Sequence, residues 1–218
     1  MTNMQKMQRT RLREDTLNAL DELRQAFPLQ QRIETAPQAV RAAYVRILQH
    51  CCAHPQRDAG ELNVESTLVD ALVRIDAVVA QSKGWGCYPF SADPTDFRVS
   101  TVDGRDRYAF CAIDALAMPR LLGRAARIVS HCAACSRTLH CDMAANGALP
   151  HQPLDQPMVV WEQPGPADTD DICCRKICPH IRFMCVGCAD ATQPHVLALP
   201  QATFVAHAFF AFQATKMG

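Results

Sequence analysis

The chain has 218 residues, enough for one large domain or two small ones with a sizeable core. Its 22 Lys and Arg balance 22 Asp and Glu, so no charge field marks it for nucleic acid or an anionic membrane. No apolar run is long enough to span a bilayer, and the opening MTNMQKMQRTRLRED lacks the apolar segment of a secretory signal, so a cytoplasmic location is expected.

Leu12, Leu17, Leu20, Leu23 and Phe27 recur at helical spacing until Pro28 ends the run. Pro37 opens a second helix through Val40, Tyr44, Ile47 and Leu48, closing near Cys51-Cys52 and Pro55. Ser66 or Thr67 caps a third, carrying Leu68, Leu72, Ile75 and Val79. These predict an N-terminal three-helix bundle over residues 1–82. With one arginine against three carboxylates around its third helix, counting Glu65, the bundle is expected to pack and not to bind DNA.

Lys83-Gly84-Trp85-Gly86 marks a turn, and 85–102 holds Pro89, Pro94 and short β-prone pieces such as Phe97-Arg98-Val99. Val102-Asp103-Gly104 predicts a hairpin turn leading into a central helix. Strands are predicted at 126–129, 138–141, 158–161 and 181–184, with a polar loop at 162–171. A closing helix or strand spans 203–212. The expected class is α+β: the helical bundle, then a mixed α/β domain over 83–218 with a small sheet.

The most informative stretch is 107–135, RYAFCAIDALAMPRLLGRAARIVSHCAAC. Cys111 and Asp114 lie three apart in a segment that reads as helix up to Pro119, so thiol and carboxyl share a face. Phe110, Ile113, Leu116 and Met118 make the surroundings apolar. Burial there raises a carboxyl pKa and favours its proton-donating form, and a neighbouring thiolate pushes the same way. On the residues alone, a buried structural cysteine beside a capping or salt-bridged aspartate is the stronger account.

Tyr108-Ala-Phe-Cys111-Ala-Ile-Asp114-Ala-Leu, followed by Pro119, Leu122-Gly123-Arg124, Ala126-Arg127 and Ser130-His131-Cys132-Ala133-Ala134, resembles the core of the organomercurial (alkylmercury) lyase family. That family has Tyr-Ala-Trp-Cys-Ala-Leu-Asp, a proline, Gly-Arg-x-Ala-Arg and Ser-His-Cys-Ala-Ala in the same order. A second block, Ile177-Cys178-Pro179-His180-Ile181-Arg182-Phe183, is similar to its apolar-Cys-Cys-His-apolar-His-Phe segment. Pro179 stands where the family has a second cysteine, and Arg182 where it has a second histidine.

The resemblance implies a winged-helix-like form for the N-terminal bundle and a lyase that protonolyses carbon–mercury bonds, giving a hydrocarbon and Hg(II). Cys111 and Cys178 would be the thiolates that grip mercury, a soft ion suited to soft ligands. Asp114 would take up a thiol proton and pass it to the departing carbon. No organic cofactor is implied. The partners would be an organomercurial substrate and the low-molecular-weight thiols or mercuric reductase that remove Hg(II), with neither nucleic acid nor membrane. The upstream pair Cys173-Cys174 leaves open a register in which Cys173 is the second thiolate.

Twelve cysteines are many for a reducing compartment, where they point to thiols, metal ligands or reactive groups. Cys132-x-x-Cys135 and Cys185-x-x-Cys188 are a candidate Cys₄ structural zinc site. The 49 residues between the two pairs exceed the roughly 15–20 of a zinc ribbon, and Cys132 has a family counterpart that needs no zinc. The sequence therefore weighs against zinc. Cys51, Cys52, Cys87 and Cys141 have no assigned role beyond ordinary thiols or onward carriers of mercury. Two other functions stay open: a thiol-rich mercury or zinc sensor or carrier on the same fold, and a lyase for another organometal such as an organoarsenical or organotin.

Overall fold

The computed structural model describes residues 3–54, 62–150, 156–162, 171–190 and 193–217. Pro55 and most of the expected polar loop at 162–171 lie outside them. Among the described residues four helices precede the first strand where three were expected: α1 (Asn3–Ala26), α2 (Leu29–Thr35), α3 (Gln38–Ala53) and α4 (Ser66–Arg74). The additional one is α2. Pro28 ends α1 as anticipated, and the same proline then stands at the N-cap of α2, which buries Leu29 and Ile33.

Helix α4 stops at Arg74, so Ile75 and Val79 are not on it as expected. Asp76 sits in the left-handed region at φ +52°, a conformation that ends a right-handed helix. Its buried carboxylate holds it there. Oδ2 accepts from Arg32 Nη1 (3.3 Å) and from the Cys173 N–H (2.9 Å), and Oδ1 accepts from the Tyr88 hydroxyl (3.1 Å). Val79 falls instead in β1 (Val78–Gln81).

Strands β1, β2 (Gly84–Cys87), β3 (Phe90–Ser91), β4 (Arg98–Thr101), β5 (Asp106–Ala109), β6 (Ala126–His131) and β7 (Thr138–Met143) form one antiparallel sheet of seven, in the order β1-β2-β3-β5-β4-β6-β7. A second sheet of three, β10-β8-β9, is built from β8 (Met158–Trp161), β9 (Ile181–Met184) and β10 (His195–Ala198). One small sheet was expected; the fold has two, and the larger has seven strands. Strands β1 to β5 have two to four residues each, too few for alternation to show in sequence, whereas the six-residue β6 and β7 alternate buried and exposed positions. The expected division between 82 and 83 falls in the turn of the β1–β2 hairpin.

Helix α5 (Ala112–Leu122) is buried on every face, from Ala112 through Pro119 and at Leu121. Such a helix shows no amphipathic stripe; it belongs to the middle of the molecule. It packs against β4, β5 and β6 of the large sheet, β9 of the small one, and the closing helices α7 (Leu199–Phe209) and α8 (Ala211–Met217). Pro119 does not end it. Although proline removes one intrahelical donor, the last turn is closed by Gly123 at φ +60°, with Gly123 N–H donating to Arg120 O and Arg124 N–H to Pro119 O. The N-terminal helices share one apolar core with the rest. Gln201 Nε2 donates to Leu12 O (3.0 Å), and Gln213 Nε2 to the Tyr44 hydroxyl (2.6 Å).

Candidate active site

Strand β5 runs through Phe110 into α5, and Cys111 is the N-cap at that junction. Its backbone is extended, not helical, and its Sγ accepts the Asp114 N–H (3.5 Å). The two groups therefore meet through a cap and not through a shared helix face as the spacing suggested. The cap satisfies one of the free amides that every helix start exposes. Cys178 opens a 3₁₀ turn, Cys178–His180, leading into β9. Because α5 packs on β9, that turn reaches the start of α5.

Cys178 Sγ–H donates to Asp114 Oδ2 at 3.9 Å. The Cys111 and Cys178 sulfurs and a carboxylate oxygen of Asp114 all lie within 4.8 Å of one another. All three residues are buried, at 2%, 3% and 4% exposure. Cys173, the first residue of α6 (Cys173–Lys176), sits behind Cys178 with its sulfur 3.8 Å from the Cys178 sulfur. Cys178 thus lies beside the carboxyl, and Cys173 adds a third buried thiol behind it. Among the described residues no ion pair involves Asp114.

Burial dominates the electrostatics. It pushes the Asp114 carboxyl up to about 7, against a pull downward from the hydrogen bonds of Cys111 and Cys178. The neighbouring sulfurs lower this pKa because they act as S–H donors; only as thiolates would they raise it. Burial likewise lifts Cys111 and Cys178 well above the ordinary thiol range, and Cys173 to about 11. At neutral pH the site thus holds protonated thiols beside a carboxyl poised between its two forms.

Behind it lies a polar support with no local signature in the residue pattern. Asp76 accepts the Cys173 N–H, the Tyr88 hydroxyl accepts the Cys174 N–H (2.9 Å), and Tyr88 in turn donates to Asp76. These bonds seat the first turn of α6, and with it the Cys173 sulfur. Arg182 of β9, where the family has histidine, pairs with Glu162, the residue after β8 (2.6 Å). Burial raises Cys51, Cys52 and Cys141 to about 12 and lifts Cys87 well above the ordinary thiol range.

The second constellation also converges. Cys132 and Cys135 occupy the turn between β6 and β7, Cys185 and Cys188 the turn after β9, and all four sulfurs lie within 4.8 Å of one another. This group is separate from the first, and its residues range from buried Cys132 to exposed Cys135.

Residues 90–185 match the alkylmercury lyase family. An alkylmercury lyase of Pseudomonas putida is 34% identical over 85 residues, covering 39% of this chain and 38% of that protein. The match therefore spans well under half of that relative's length. Among solved structures, the mercury-bound form of MerB2 aligns with a TM-score of 0.63 at 19% identity, over 88% of this chain and 99% of that one, a likeness of fold. The resemblance to the alkylmercury lyase family thus holds over residues 90–185, the segment that carries Cys111, Asp114, Cys173 and Cys178.

Proposed function

We propose that this protein is an organomercurial lyase that breaks carbon–mercury bonds by protonolysis. The observation that carries the reading is the meeting of two thiols and a raised carboxyl within 4.8 Å in a dry site. Mercury is a soft ion, and a pair of sulfurs from separate segments is the ligand set it prefers. When R–Hg–X reaches Cys111, the sulfur takes the metal, and the thiol proton leaves with X as HX. Cys178 then adds as second sulfur ligand and gives its proton to the Asp114 carboxylate. The two sulfurs donate electron density to mercury, the carbon–mercury pair moves to carbon, and Asp114 returns the proton to it. The balance is R–Hg–X plus two thiols going to R–H, a bis-thiolate Hg(II) and HX, with Asp114 again ionised.

A pKa of about 7 suits a group that must both take and give a proton near neutrality. Exclusion of water strengthens the charge interactions on which these steps depend. In this reading residues 83–218 supply the reacting groups, and 1–82 form a helical packing domain that contributes Asp76 to the support of Cys173. External thiols or a mercuric reductase would remove Hg(II), and no organic cofactor is required.

The test is to incubate purified, reduced protein with phenylmercury and excess low-molecular-weight thiol and to measure benzene. Wild type should turn over, with Cys111→Ala and Cys178→Ala at background. Wild type no faster than Cys111→Ala would sink the proposal, and stoichiometric mercury binding without benzene would make the chain a carrier instead.

A further inference from the structure

Two populations of cysteine differ in their surroundings. The reactive group is buried in the core, where burial alone accounts for cysteine well. Around the tips of β6 and β9 it does not: Cys135 is exposed and Cys185 and Cys188 are only half-buried. An exposed thiol adds nothing to a core, so a group of four sulfurs of which only Cys132 is buried calls for another cause.

The geometry supplies one. A tetrahedron of ~2.3 Å zinc–sulfur bonds has sulfur–sulfur edges of about 3.8 Å. Cys135 and Cys185 lie 3.8 Å apart, and none of the four exceeds 4.8 Å from any other. Each Cys-x-x-Cys pair sits on a tight turn closed by its own backbone: Ser136 N–H donates to Cys132 O (2.9 Å), and Cys188 N–H to Cys185 O (2.9 Å). Ser136 adopts φ +58°, an uncommon position for a side-chain-bearing residue, which turns the chain back into β7 directly after Cys135. The two turns are tied together by Ala133 N–H to Phe183 O (3.0 Å), and the Cys185 N–H points at the Cys132 sulfur (3.3 Å). Amides aimed at sulfur are what a cluster of thiolates around a divalent ion needs, because they spread its excess negative charge.

We infer that Cys132, Cys135, Cys185 and Cys188 form a closed tetrathiolate site for structural zinc, which clips the β6–β7 hairpin of the large sheet to β9 of the small one. Zinc suits four sulfurs in tetrahedral array, and a site with no open position is structural, not catalytic. Closing a loop across the 49 residues between the pairs restricts the unfolded chain, so metal binding stabilises the fold. The clip also anchors the far end of the strand that follows Cys178. The inference does not depend on the reaction proposed above.

Protein purified under reducing conditions without added metal should contain one zinc per chain by elemental analysis. Exchange for Co(II) should give the sulfur-to-cobalt charge-transfer and tetrahedral d–d bands of a tetrathiolate. Both should vanish in Cys135→Ser/Cys188→Ser and persist in Cys51→Ser. Removing zinc with a chelator should lower the wild-type melting temperature and leave that of the double variant unmoved. If the double variant fails to fold, Cys135→Ser alone, at an exposed position, should still lose the tetrathiolate bands. Absence of metal together with silence towards Co(II), iron in place of zinc, binding of Hg(II) alone, or bands unchanged in the double variant would each overturn the assignment. None of these readings uses lyase activity, so failure of the benzene assay leaves the zinc result standing, and the reverse also holds.

Discussion

Replacing Asp114 by asparagine should cripple turnover yet stabilise the protein, and the stabilisation should depend on pH. Inside the fold the carboxyl stands at about 7, against an ordinary 3.8, because burial disfavours its charged form. Between those values the unfolded chain has released its proton while the folded chain still holds it, so stability falls as pH rises through this window and then levels off. At ~1.4 kcal/mol per pKa unit, the penalty reaches roughly 4 kcal/mol by about pH 8. Asparagine keeps the shape and does not titrate. Urea denaturation under reducing conditions should therefore show Asp114→Asn gaining roughly 2–3 kcal/mol over wild type between about pH 5 and pH 8. Asp76, also raised by burial, is present in both proteins and cancels in the difference. Benzene release should meanwhile fall by about 10²–10⁴-fold, the usual contribution of a positioned acid. An advantage for the variant that is the same at both pH values would refute the reasoning, since it would mean the carboxyl is not held neutral by its surroundings.

Four further outcomes follow from the geometry. The kcat/KM for phenylmercury should drop as pH falls below about 7, because Asp114 must be ionised to accept the thiol proton, and the pH–rate profile of wild type reads this directly. Cys173→Ser should still release benzene in a single turnover, whereas Cys178→Ser should not, since of these two it is Cys178 whose sulfur donates to the carboxyl; the opposite pattern would reverse the register. Tyr88→Phe removes the hydroxyl that joins Asp76 to the Cys174 N–H and should cost about 1–3 kcal/mol in urea unfolding. Leu116→Ala, on the fully buried α5, should cost about 2–5 kcal/mol, measured the same way.

Much of the strand content was legible where the chain alternates or runs apolar: β6, β7, β8 and β9 fall where they were expected. The helical content of residues 1–82 was also clear, although α2 was missed, because Pro28 reads as an end and gives no sign that it also stands before a start. The helical spacing of Ile75 and Val79 carries the expected third helix past its true end at Arg74. What stops it is Asp76, whose partners Arg32, Tyr88 and Cys173 are near it only in the fold.

The sequence by itself determined the local chemistry: a thiol and a carboxyl three residues apart in an apolar helical segment, and two Cys-x-x-Cys pairs. Short-range spacing and side-chain character decide such features, and they survive in a string of letters. Only the tertiary structure decided that Cys178 and not Cys173 faces Asp114, and that the two Cys-x-x-Cys turns meet across 49 residues. Both depend on how β9 packs against α5 and β6, a contact between distant segments that no local pattern encodes.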